Sequence, residues 1–156
     1  MSYEKLVNEL KKKSFTNKIS FKKIIQLINN YEYDEIILMD KNKEINFIIN
    51  EKNLIENIIQ ERENIANNLE KKLINLIWLN EILVKFGEEK QSSSTKARKL
   101  LKSKVFINIY DLESEKYENN KTKELLKKQL RKNPHMRFPL KCAKGSPTLK
   151  LFLIKI

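Results

Sequence analysis

The sequence predicts an α+β protein. N-terminal helices and a hairpin lead into a long coiled-coil-like helix, and a small basic α+β unit follows. Three observations predict this. Apolar residues recur at helical spacing near the N-terminus and again over residues 52–86. Two β-rich runs flank a short polar stretch at 40–43, and another covers 105–110. The charge balance changes near residue 90, where a glycine and a polar run also fall.

Ser2 to Lys13 reads as an amphipathic helix with Leu6, Val7 and Leu10 on one side. Ser20 caps a second helix that runs to Asn30 and buries Ile24, Ile25, Leu27 and Ile28. Residues 35–39 and 44–49 then read as the strands of a hairpin around Asp40-Lys41-Asn42-Lys43. Two helices followed by a hairpin resemble a winged helix. A third helix is missing and the segment is not basic, so the reading here is a small α+β cap on the helix that follows.

Residues 52–86 contain no Pro or Gly. With Ile55 at heptad position a, that position holds Ile55, Arg62, Leu69, Leu76 and Leu83, and position d holds Ile58, Ile65, Lys72, Leu79 and Phe86. Such a seam predicts a coiled coil, with Arg62 and Lys72 fixing register. At about 1.5 Å per residue one continuous helix would span roughly 50 Å. It either packs on its own N-terminal part or pairs in a homodimer. A core that thin in one chain favours a dimer. The expected dimer or partner interface is therefore Ile55, Ile58, Arg62, Ile65, Leu69, Leu76, Leu79, Leu83 and Phe86.

Gly87 stands where a helix C-cap is expected, and residues 91–95 read as a linker. The expected organisation is a partner-binding region over 1–90, this linker, and a nucleic-acid-binding unit over 96–156. In the last part, 95–101 reads as a short helix, 105–110 as a strand and 111–115 as an acidic loop. Asn119 or Asn120 caps a helix that ends at Lys132 before Asn133-Pro134. Gly145-Ser146-Pro147 is a turn, and the apolar end at 149–156 is a buried strand or short helix.

The formal charge is +12. Residues 1–90 hold 15 basic and 15 acidic side chains, whereas 91–156 hold 17 and 5, so the whole excess lies in the last part. Lys, Ile and Asn are abundant throughout, with 28, 20 and 18 copies, as an AT-rich coding sequence would produce. A bias of that kind acts along the whole chain and does not explain the asymmetry, which points to an anionic partner. Three cationic clusters carry the excess: Lys96, Arg98, Lys99, Lys102 and Lys104; Lys121, Lys123, Lys127, Lys128, Arg131 and Lys132; and Arg137, Lys141 and Lys144. On a helix the second cluster sweeps about half the circumference, opposite Leu126 and Leu130. Such a face neutralises phosphates and releases counterions. The first cluster also looks like a nuclear-import patch. Phosphate on the preceding serines or Thr95 would lower the local positive charge.

Enzyme signatures are poor. Two glycines cannot build a phosphate loop. One histidine, His135, and one cysteine, Cys142, cannot form a zinc site by themselves. His135 beside Pro134 reads as a surface loop residue, and Cys142 as structural. Asp111, Glu113 and Glu115 would share a face in an extended segment, but read as an acidic loop within a basic surface. No catalytic residue, metal or cofactor is expected. A single cysteine excludes an internal disulfide framework. No apolar run reaches the roughly 18 residues of a membrane span, and the N-terminus lacks a signal-peptide core. The expectation is an intracellular protein, nuclear if eukaryotic and otherwise cytoplasmic, without a membrane partner. It binds nucleic acid, DNA favoured over RNA, as a DNA- or chromatin-associated dimer. The alternatives are a coiled-coil scaffold that docks acidic proteins and an RNA- or ribosome-associated factor.

Overall fold

The computed structural model describes residues 2–143, 146–150 and 152–153. Every regular element among them is helical. The α+β expectation is therefore corrected to an all-α fold. Among the described residues ten α-helices follow one another: α1 Tyr3–Thr16, α2 Phe21–Asn30, α3 Tyr33–Ile37, α4 Lys43–Asn50, α5 Lys52–Leu73, α6 Leu76–Lys85, α7 Ser94–Lys104, α8 Ile109–Glu113, α9 Lys123–Lys132 and α10 Pro147–Lys150. Short 3-10 turns cover Tyr117–Asn119, Pro134–Met136 and Leu140–Ala143.

The chain forms two compact units. The first comprises Met1–Glu63 with Asn133–His135, and the second comprises Asn64–Lys132 with Met136–Ile156. The division falls inside α5.

In the first unit, Ser2 and Ser20 cap α1 and α2 by accepting from the backbone N–H three residues on. The expected hairpin is two helices instead. A capping box between Glu32 and Glu35 starts α3, and the Asn42 side chain accepts from Ile45 N at 2.9 Å to start α4. Ile45 and Ile48, three apart, are buried with Phe47. The caps and this helical spacing outweigh the β-propensity of isoleucine. The two helices of the winged-helix arrangement are present as α1 and α2, but its hairpin is not found among the described residues. Leu10, Ile24, Ile25, Ile36, Ile55 and Ile58 are fully buried in this unit. Each such side chain contributes about 1.5–3 kcal/mol on leaving water.

His135 does not sit in a free loop. It lies in the 3-10 turn beside Phe21, with ring centroids 5.5 Å apart. The Tyr3 hydroxyl donates to its carbonyl at 2.6 Å. Burial, then the cations Lys11 and Arg62, hold its imidazole below the usual histidine pKa of 6.5. The unfolded chain binds this proton more readily, so the stabilisation is complete above the ordinary value and is lost as pH falls through the folded one. The melting temperature should fall as pH drops below about 6.5. His135→Gln should flatten that fall. An unchanged pH profile in the variant would show that the imidazole is not part of it.

The predicted long helix is broken. α5 ends at Leu73, and the Asn75 side chain accepts from Trp78 N at 3.2 Å to start α6. The would-be seam is core of the chain itself. Ile55, Ile58, Leu69, Leu79 and Leu83 have no exposure, Arg62 has 1% and Ile65 4%. Leu76 and Phe86 are half-buried. These side chains are not available as a seam for a second helix. Lys72 is also engaged: its Nζ donates to the Glu113 carbonyl at 2.9 Å and lies 3.8 Å from the Glu115 carboxylate.

Gly87 follows the end of α6 with φ +77, and Glu88 N bonds back to Leu83 O at 2.8 Å. A Cβ there would meet nothing within 4 Å, so only the backbone conformation opposes a side chain. Gly87→Ala should cost about 1 kcal/mol, read as a lower urea midpoint at unchanged slope. A stabilising effect would contradict this.

The predicted strand at 105–110 is extended only as far as Asn108. Its pairing is confined to Phe106, whose N–H donates to the Asn120 side chain at 2.6 Å and whose carbonyl accepts from Lys121 N at 3.0 Å. Asn108 then accepts from Asp111 N at 2.9 Å and starts α8. The acidic stretch is therefore partly helical, not a loop. Asn120 is spent on Phe106, and Thr122 caps α9 through Leu125 N at 3.3 Å. α9 ends before Pro134, as the sequence implies. Residues 154–156 and Gly145, which carry the predicted apolar end and turn, lie outside the described residues, while Pro147–Lys150 is helical.

Candidate nucleic-acid interface

The basic residues fall into two groups once their partners are known. Lys96, Lys99, Lys102 and Lys104 on α7, and Lys123, Lys128, Arg131 and Lys132 on α9, are exposed. Ala97 and Leu101 anchor α7 by its apolar face, and Leu126 and Leu130 anchor α9. The lysine stems leave the heads in water. None of these eight cations forms an ion pair with a described residue. Lys127 is half-buried, as is Lys121, which contributes its backbone N–H to the Phe106 bond.

The other predicted contacts have structural partners. Arg98 donates through Nη1 to Leu73 O at 3.0 Å and through Nη2 to Thr95 Oγ1 at 3.4 Å. It thereby satisfies a carbonyl at the end of α5. Arg137 does the same for α9, donating through Nε to Leu130 O at 2.8 Å and through Nη2 to Arg131 O at 3.4 Å. The planar guanidinium fork suits such paired carbonyls. Lys141 is half-buried, and Lys144 lies outside the described residues.

α7 and α9 meet at one cavity of about 290 Å³ in the second unit. Its walls include Leu101, Val105, Ile107, Ile109 and Leu112. Lys102 of α7 and Lys123 and Lys127 of α9 line it as well, so the first two sequence clusters converge on it. Sequence reasoning missed the cavity because it read 105–110 as a strand. The available signal was Asn108, three residues before Asp111, which is a helix start.

The acidic residues are tied into the same unit. Asp111 Oδ2 accepts from Asn108 Nδ2 at 2.9 Å and Asn119 Nδ2 at 3.0 Å. Glu115 accepts from Trp78 Nε1 at 3.1 Å. Among the described residues no group of His, Cys, Asp and Glu is arranged to hold a metal ion, and no helix is long and apolar enough to cross a membrane. Burial, then Glu115 and Glu81, push the Tyr117 hydroxyl up to about 12, so it stays protonated at neutral pH. Comparison with protein-family models, curated proteins and solved structures found no match.

Proposed function

We propose that the protein binds nucleic acid without catalysing a reaction, gripping phosphates with the exposed cations of α7 and α9. The observation that carries this reading is the confinement of the whole +12 excess to residues 91–156, where eight cations of α7 and α9 are exposed without an ion-pair partner among the described residues. Uncompensated charge on packed helices attracts a polyanion and releases its counterions. Duplex DNA is the favoured ligand. Dimerisation through the α5 heptads has no place in this proposal, because those side chains fill the core of the chain.

The test is fluorescence anisotropy of the full chain with labelled duplex DNA, single strand and structured RNA. If about six phosphates are neutralised, affinity should fall roughly a thousandfold between 50 and 200 mM salt. A flat salt response would sink the proposal. Preference for structured RNA over duplex DNA would move the assignment to an RNA- or ribosome-associated factor.

A further inference from the structure

The cavity shared by α7 and α9 combines two chemistries that a phosphate grip does not need together. Its walls are apolar, with Leu, Val and Ile side chains beside the rings of Phe106 and Phe152, and Leu101, Ile109 and Leu112 are all under 5% exposed. Three lysines, Lys102, Lys123 and Lys127, belong to the same lining. None of the three is neutralised by a described carboxylate. The wall at 105–108 is held open in extended form by the bonds of Phe106 to Asn120 and Lys121.

A volume of about 290 Å³ is at the lower end for small-molecule sites. The walls select what enters. A nucleobase carries several donors and acceptors, and although Phe106 and Phe152 could face its ring, the apolar side chains of the wall would leave those edge groups unpaired at a cost. A sugar phosphate would suffer the same loss at its hydroxyls. A hydrocarbon chain loses nothing there. The three ammonium groups in turn favour an anion over a neutral or cationic head. We propose that this cavity binds a medium-chain fatty carboxylate, with the chain against Leu101, Ile107, Ile109 and Leu112 and the carboxylate against Lys102, Lys123 and Lys127. This goes beyond the nucleic-acid reading and does not depend on it.

The experiment titrates the full chain, free of nucleic acid, with decanoate below its micellar concentration. Calorimetry gives the affinity and methyl NMR gives the location. The expected result is one site, with shifts at the Leu101, Ile107, Ile109 and Leu112 methyls. Decanol should bind about tenfold more weakly and acetate not measurably, because each keeps only half of the recognition. Lys123→Glu with Lys127→Glu should weaken decanoate by about tenfold or more while sparing decanol. These changes leave the apolar walls intact, and a retained far-UV spectrum confirms folding. A second variant, Ile107→Phe, reduces the space and should weaken both ligands. Absence of decanoate binding, equal affinity for decanol, shifts outside the cavity, or an unaffected Lys variant would each overturn the proposal.

Discussion

Reversing four exposed lysines, Lys99, Lys102, Lys128 and Lys132 to Glu, should weaken duplex DNA binding at least a hundredfold at low salt. Each lysine that contacts a phosphate also takes about one from the logarithmic salt slope. If all four make contact, the slope should fall by about four. All four side chains are exposed on α7 and α9, so the fold should tolerate the change. Lowered total charge would weaken binding to a polyanion wherever the changes fell, so a matched control is needed. Lys5, Lys12, Lys22 and Lys52 are also exposed, and all lie in the first unit. Reversing them changes net charge by the same amount. This second variant should keep most of its affinity and nearly the whole salt slope. Equal loss in both variants would mean that DNA responds to overall charge and not to α7 and α9. Truncation at residue 90 is a poorer test, because the second unit begins at Asn64 and would be cut.

Where the sequence was informative, a single residue type had a single meaning. Ser2 and Ser20 start helices, Pro134 stands just past the end of one, and Gly87 takes the left-handed conformation after α6. Asparagine did not behave this way. With 18 copies, it occurs in caps, turns and helix interiors alike. Asn42 read as a turn residue, Asn75 as the middle of a coiled coil and Asn108 as part of a strand. All three are helix N-caps, each accepting from the backbone N–H three residues on. Those three bonds turn a predicted hairpin into α4, divide the long helix into α5 and α6, and end the extended run at α8. The site was unevenly legible for a related reason. Charge asymmetry is a property of composition and can be counted. Which cations are free depends on distant carbonyls: Arg98 is held by Leu73 and Arg137 by Leu130.

Arg62 is the polar residue in the heptad pattern whose role differs most from the expected one, and its removal should have the largest effect on stability. It is 1% exposed. Nη2 donates to Asn29 Oδ1 at 2.8 Å and lies 3.4 Å from the Tyr3 hydroxyl, whose ring is 5.8 Å from the guanidinium carbon. Tyr3 and Asn29 in turn donate to the carbonyls of His135 and Pro134. One guanidinium thus links α1, α2, α5 and the turn at Pro134–Met136 through buried polar groups. Arg62→Ala would open a cavity and leave the Asn29 carbonyl oxygen without its donor, a loss of about 3 kcal/mol or more. Arg62→Met restores most of the volume but no donor, and should cost about half as much. If the hydrogen bond to Asn29 carries the difference, Asn29→Ala should cost less in the Arg62→Met background than alone. The two changes would then couple by about 1 kcal/mol in urea unfolding. Strict additivity would show that the bond to Asn29 contributes nothing measurable to stability. Equal losses for Arg62→Ala and Arg62→Met would show the reverse, that volume contributes nothing and the donor contributes everything.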